Sequence, residues 1–225
     1  MSRFDIFYHP LGEPGMNKTI ILSLTILGAS ISNAFAHHPL DGAMPETALN
    51  GLLSGIGHPL LGFDHFAFIV AIGLLAALQP RRVLMPLGFI LATMLGTVLT
   101  VWAITLPMAE LFIIASVVFA GLVIVRGRSI AAIPGVALAS IAGLFHGWAY
   151  GAAVIGAEPT PLLAYLAGFG FIQLVIIMGV GFIARQVWQA KLPTALQPRL
   201  AGAMIAGIGI SYFVEYAEAL IFPAL

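Results

Sequence analysis

Long stretches of this chain carry no charged side chain, and this constrains the fold more than any other feature. Between Glu158 and Arg185, for example, there is no Asp, Glu, Lys or Arg. Over the whole chain 8% of residues are charged and 60% are hydrophobic, whereas a soluble domain carries about 25% charged residues. Strand-like alternation is absent, so the apolar stretches must cross a bilayer as helices. The sequence therefore predicts an all-α membrane protein.

The number of crossings follows from the lengths of these stretches, because about 20 apolar residues span a bilayer. We predict a bundle of six transmembrane helices forming a single domain over residues 37–225. A short amphiphilic piece at 46–57 precedes the first span and is expected to lie on the membrane surface or dip into it. The six spans are predicted near residues 59–79, 84–106, 109–125, 130–156, 161–188 and 200–222.

The N-terminal residues have the pattern of a targeting segment. A short basic region ending at Lys18 precedes an apolar stretch at 19–31, and Ala34-Phe35-Ala36 fits a small-x-small cleavage pattern. We predict that residues 1–36 comprise an N-terminal extension and a cleavable signal peptide; the alternative is an uncleaved transmembrane helix. Cleavage would leave His37 and His38 at the new N-terminus, where they form either a weak metal chelate or a polar tail.

The charges indicate which side of the membrane each loop faces. Positive residues favour the cytoplasmic side, and those of the mature chain fall in or beside the loops after spans one, three and five. Both mature termini are then extracytoplasmic. The basic residues are Arg81, Arg82, Arg126, Arg128, Arg185, Lys191 and Arg199, and the outer acidic residues are Asp41, Glu46, Glu110 and Glu158. The formal net charge of zero gives no indication of a nucleic-acid partner, and oligomeric state is not encoded in any pattern we recognise.

Polar side chains at the entrance to the first span are the best indication of function. His58, Asp64 and His65 lie where the chain enters the membrane, and ionisable groups at such depth usually serve transport, proton relay or metal binding. On an unbroken helix the two histidines would be about 10 Å apart along the axis. Either Gly62 bends the chain and folds His58 back, or the two histidines serve different positions. Asp64 would ligate a metal directly or orient a histidine.

His146 in the fourth span lies at a depth that overlaps that of His65. Tyr150, one turn further on the same face, is placed to hydrogen-bond with it. Glu158 at the outer end of this span is either a capture ligand or a loop carboxylate. Glu215 in the last span is expected to face inward and either complete the site or relay protons. We therefore predict a metal site at His58, Asp64, His65 and His146.

Small residues recur every four positions in two spans, which typically lets helix backbones approach closely. They are Ala139, Gly143, Gly147 and Gly151 in span four, and Ala203, Gly207 and Ser211 in span six. We interpret both stripes as helix-packing surfaces.

Two motifs resemble those of the HupE/UreJ family. They are His58-Pro-x-x-Gly-x-Asp64-His65 and Phe145-His146-Gly-x-Ala-x-Gly151. The resemblance implies a bacterial inner-membrane protein that takes up nickel or cobalt, with His58, Asp64, His65 and His146 as its metal-handling residues. Many members carry a second histidine and an acid in the span-four motif, where this chain has Tyr150 and Ala152-Ala153.

The leading functional hypothesis is a secondary permease, not an enzyme, whose transported substrate is a divalent metal ion. Imidazole and carboxylate suit nickel, cobalt and zinc alike, so zinc is not excluded. The chain has no Walker-type phosphate loop, and the absence of cysteine excludes thiolate metal sites. The alternatives are an intramembrane metal-dependent hydrolase and a bis-histidine haem protein.

Overall fold

The computed structural model of the chain describes residues 44–79 and 82–222. The predicted signal peptide, His37 and His38 lie outside the described residues. Within that part every regular element is helical. The helices are α1 (Ala48–Leu61), α2 (Phe63–Ala77), α3 (Leu84–Val101), α4 (Ala109–Arg126), α5 (Ala132–Tyr150), α6 (Pro159–Phe182) and α7 (Leu196–Ile221). A 3₁₀ turn, Gly151–Val154, continues α5, and a π-helical turn, Ile183–Val187, continues α6.

Four helical segments are long and apolar enough to cross a membrane: Leu84–Val101, Ala132–Val154, Pro159–Val187 and Leu196–Ile221. The bent pair α1 and α2 makes a fifth candidate if its two helices count as one span. Helix α4 is apolar over Ala109–Val125 but shorter than these segments. The all-α membrane class is confirmed, while the sixth crossing and the signal peptide stay predictions.

The first predicted span is divided between two helices. Helix α1 begins after Thr47, whose hydroxyl accepts the Asn50 amide N–H at 3.1 Å. It includes most of the amphiphilic piece at 46–57, which is predicted to lie on the membrane surface or dip into it. Pro59 lies in its last turn rather than at a helix start. Because Pro59 has no N–H to donate, the helix weakens there. The chain breaks at Gly62 and turns through 84° into α2.

Two pairs of helices pack closely because a glycine at each contact places no side chain between the backbones. A Cβ at Gly55 would collide with the backbone of Tyr165, so α1 lies directly on α6. A Cβ at Gly147 would collide with the backbone of Thr93, so α3 lies directly on α5. Helix α2 lies inside the bundle and contacts α3, α4, α6 and α7.

The two ends of the bundle differ in charge, as the sequence predicts. Arg199 at the start of α7 donates to the Val125 carbonyl near the end of α4 at 2.8 Å. Arg185 after α6 donates to the Ala77 carbonyl at the end of α2 at 3.4 Å. We call this the basic end. The opposite end, which holds the starts of α2 and α4 and the end of α5, carries Glu110 and is called the acidic end.

One small-residue stripe packs as predicted and the other does not. Gly143 and Gly147 of α5 face α3, which confirms the first. Ala203, Gly207 and Ser211 of α7 are exposed, and a Cβ at Gly207 would meet nothing within 4 Å. The prediction that the stripe of Ala203, Gly207 and Ser211 packs against another helix was wrong, because α7 carries small residues on two faces. The face that contacts α4 is the one holding Gly202 and Gly209.

Candidate metal centre

A cavity of about 300 Å³ opens at the acidic end of the bundle. Its lining combines apolar side chains of α4 with polar groups from four helices. These polar groups belong to Asp64, His65, Glu110, Trp148 and Tyr212. The cavity therefore leads from the acidic end to two of the residues in the predicted metal site.

Asp64 and His65 form a hydrogen-bonded pair in the first turn of α2. The Asp64 Oδ1 and His65 Nδ1 atoms are 2.7 Å apart, and each side chain is 14% exposed. A carboxylate accepts only, so the imidazole donates its Nδ1–H and carries its lone pair on Nε2. This Nε2 is buried and has no hydrogen-bond partner within the described residues. The pair is thus a histidine oriented by a carboxylate, with its ligating nitrogen unused.

His146 of α5 is fully buried beside this pair. Its ring is edge-on to that of His65, with centroids 4.8 Å apart and planes at 82°. Phe68 stacks on its other side at 4.5 Å and 24°. Its Nε2 lies 2.8 Å from the Ser116 hydroxyl. The structure therefore brings His65 and His146 together across α2 and α5.

The ring of Tyr150 contacts the rings of both His58 and His65. The Tyr150 ring lies 4.8 Å from the His58 ring and 4.4 Å from the His65 ring, centroid to centroid. The His58 Nδ1 is hydrogen-bonded to the Tyr165 hydroxyl at 3.0 Å. In residues 44–79 and 82–222, no three His, Asp or Glu side chains are arranged so that they could hold one metal ion.

The other predicted site residues lie elsewhere or interact differently. Glu158 is exposed just before α6, and Glu215 is exposed on α7 rather than facing inward. Neither belongs to the cavity lining. The hydroxyl of Tyr150 has no hydrogen-bond partner in the described part of the chain, so the expected bond to His146 is not formed.

Sequence reasoning missed several residues that the structure brings to the site, among them Trp148 and Tyr212 in the cavity lining, and Glu110 and Ser116. Glu110, treated only as an outer-side charge, lines the cavity; its position at the start of an apolar span is a signal that could have found it. His146 is hydrogen-bonded to Ser116, whereas the sequence predicts a hydrogen bond between His146 and Tyr150. A single hydroxyl in an apolar helix gives no comparable signal.

The fold and the site together define an all-helical membrane protein with a buried histidine–carboxylate cluster below a surface cavity. Comparison with known proteins gives the family: the model of the HupE/UreJ proteins matches residues 22–212, and the chain belongs to this family. It is 29% identical over 170 residues to protein HupE of Rhizobium leguminosarum bv. viciae, covering 73% of this chain and 85% of that protein. No solved structure matches the chain. The resemblance seen in the two motifs is thereby confirmed.

Proposed function

We propose that this chain is a secondary permease that carries a divalent transition-metal ion, nickel or cobalt, into the bacterial cytoplasm. The observation that carries the proposal is the cavity at the acidic end, which ends at the Asp64–His65 pair with His146 behind it. Membership of the HupE/UreJ family supports a metal-handling role, because the family is associated with nickel and cobalt uptake.

The donor atoms are suited to such an ion. His65 offers an Nε2 lone pair that is buried and unpaired in the described residues, and Asp64 supplies a negative charge next to it. Imidazole suits nickel, cobalt and zinc, whereas a site of carboxylates alone would favour magnesium, calcium or manganese. Together with His146, these groups form the inner part of the proposed site.

Capture begins at the mouth of the cavity. Glu110 lies on its wall with an exposed side chain, where a carboxylate attracts a hydrated cation before it reaches His65. We assign the acidic end to the outside of the inner membrane, because basic residues favour the cytoplasmic side. Both mature termini are then extracytoplasmic.

Passage requires a change of conformation. In the present arrangement the Tyr150 ring packs against both His58 and His65. A rotation of this ring, together with movement of α1 at the Gly62 break, would open a path for the ion between the Asp64–His65 pair and His58. Hinges of this kind are a few residues that absorb a change in backbone angles.

The membrane potential is sufficient to drive the uptake. Two positive charges moving inward across 100 mV gain about 4.6 kcal/mol, at about 2.3 kcal/mol for each charge. No hydrolysis of ATP by a phosphate-loop mechanism is needed, and the sequence contains no such loop.

The test is uptake of radiolabelled nickel and cobalt into cells that express the chain. His65→Ala should reduce uptake close to that of cells without the protein, because it removes the unpaired Nε2. Ser211→Ala, which changes an exposed residue of α7, is the control at matched protein level. Wild-type uptake by His65→Ala would refute the proposal. So would purified protein that retains its metal through dialysis and cleaves a lipid amide or ester, since that is the behaviour of a hydrolase.

A further inference from the structure

The hydroxyl of Ser116 makes two contacts, and the requirement that both be hydrogen bonds restricts where its proton lies. It is 2.7 Å from the Ile113 carbonyl oxygen and 2.8 Å from His146 Nε2. A hydroxyl has one proton, and a carbonyl oxygen only accepts. The Ser116 proton therefore goes to Ile113, and the hydroxyl oxygen accepts a hydrogen bond from His146. This arrangement satisfies both contacts only if His146 carries its proton on Nε2.

The two adjacent imidazoles are consequently held in opposite tautomers. His65 donates from Nδ1 to Asp64 and has its lone pair on Nε2. With the Ser116 proton on the Ile113 side, the 2.8 Å contact is a hydrogen bond donated by His146 Nε2, which leaves the lone pair of His146 on Nδ1. A metal ion binds the nitrogen that has no proton, and the hydrogen bond of the other nitrogen determines which one that is. Asp64 performs this function for His65, and in the described residues the hydrogen-bond partner of the His146 ring is the Ser116 hydroxyl.

We propose that Ser116 is a positioning residue for the metal site: it fixes the tautomer of His146 so that Nδ1 is the atom available to the transported ion. The inference rests on the proposed function, because it assigns His146 a role in binding. Ser116 itself touches no ion. It belongs to α4, so it also ties the orientation of a ligand on α5 to a helix that lines the entrance cavity.

Burial explains why one hydroxyl has this effect. His146 is 1% exposed and its ring is stacked on Phe68, so bulk water does not replace a lost partner. Without Ser116 the ring is free to exchange its proton between the two nitrogens or to turn over. Either change removes the lone pair from Nδ1 or points it elsewhere. Loss of a hydrogen bond to a metal-ligating histidine typically lowers metal affinity about 10- to 100-fold.

The direct test is nitrogen-15 NMR of histidine-labelled protein in lipid nanodiscs, without added metal. Chemical shifts of the ring nitrogens distinguish the two neutral tautomers, and the spectrum of His146→Gln identifies the signals of His146. We expect a proton on Nε2 in the wild type. A His146 ring that carries its proton on Nδ1 would overturn the inference, whatever the transport activity is.

Substitutions of Ser116 test whether the tautomer of His146 affects metal binding. Nickel and cobalt binding to purified Ser116→Ala, measured by calorimetry, should be about 10- to 100-fold weaker, and Ser116→Thr should restore most of the affinity because it keeps the hydroxyl. Ser211→Ala is the matched control, because Ser211 makes the same bond to the carbonyl three residues earlier, at 2.8 Å, on an exposed face.

The two proposals fail in different ways. Unchanged metal binding in Ser116→Ala, with binding lost in His146→Gln, would refute the role of Ser116 and leave the permease proposal intact. Unchanged binding and uptake in both His146→Gln and His65→Ala would refute the permease proposal itself. Should Ser116→Ala fail to fold, the tautomer measured in the wild type still decides the inference.

Discussion

Two buried tyrosines allow a test in which the same chemical change has opposite expected effects on stability. Tyr150 and Tyr165 are 2% and 0% exposed, and both rings pack against Phe169. The Tyr165 hydroxyl is hydrogen-bonded to His58 Nδ1 at 3.0 Å and donates to the Tyr150 carbonyl oxygen at 3.2 Å. The Tyr150 hydroxyl is buried without a hydrogen-bond partner in the described residues.

The magnitudes follow from these contacts. Replacing either tyrosine by phenylalanine keeps the ring and removes only the hydroxyl. A buried polar group without a partner costs about 1–3 kcal/mol, so Tyr150→Phe should raise the free energy of unfolding by up to that amount. A neutral hydrogen bond contributes about 0.5–1.5 kcal/mol, so Tyr165→Phe should lower it by about 1–3 kcal/mol for two bonds.

The assay is reversible unfolding of the purified protein in mixed micelles as the fraction of denaturing detergent is raised, followed by circular dichroism. Tyr150→Phe should unfold at the highest detergent fraction and Tyr165→Phe at the lowest, with the wild type between them. A Tyr150→Phe protein less stable than the wild type would mean that the hydroxyl has a partner, and the reasoning from its burial would be wrong. Wild-type stability of Tyr165→Phe would refute the two hydrogen bonds.

Two further changes test the cavity and the packing. Glu110→Gln should raise the metal concentration that gives half-maximal uptake by about fivefold or less, because an exposed charge interaction is worth about 0.2–1 kcal/mol. Glu158→Gln is the control, because Glu158 lies outside the cavity. An equal effect of the two substitutions would contradict a capture role for Glu110. Gly147→Ala should abolish the folded protein, because its Cβ would collide with the Thr93 backbone, whereas Gly207→Ala should have no effect. Size-exclusion profiles of tagged protein in detergent compare the two glycine variants, and a normal Gly147→Ala profile would refute the close α3–α5 packing.

Much of the architecture could be predicted because it depends on composition and on distance along straight helices. Apolar stretches locate the helices, and the basic loops identify the two ends of the bundle. The similar depth of His65 and His146 follows from the rise of 1.5 Å per residue. The contact between His65 and His146 within the bundle cannot be predicted in this way, because depth in the membrane does not indicate which helices are neighbours.

The remaining features depend on the rotation of each helix about its axis, which an apolar sequence does not specify. A helix that is hydrophobic all round has no polar face to indicate its orientation. Glu215 was therefore expected to face inward and is exposed on α7. For the same reason the bond to His146 was assigned to Tyr150, although the partner is Ser116 of a different helix. Side-chain contacts between helices were the least predictable part of the site.

The break at Gly62 has a consequence for how an ion would move. On a continuous helix His58 and His65 would be about 10 Å apart along the axis and could not share one ion. Across the 84° bend, both histidine rings instead contact the ring of Tyr150. An ion held by every available ligand at once would be released slowly, and conduction requires binding that is weak or divided among sites. Under the proposed function, Tyr150, which contacts both histidine rings, would control the transfer of the ion between His58 and the Asp64–His65 pair.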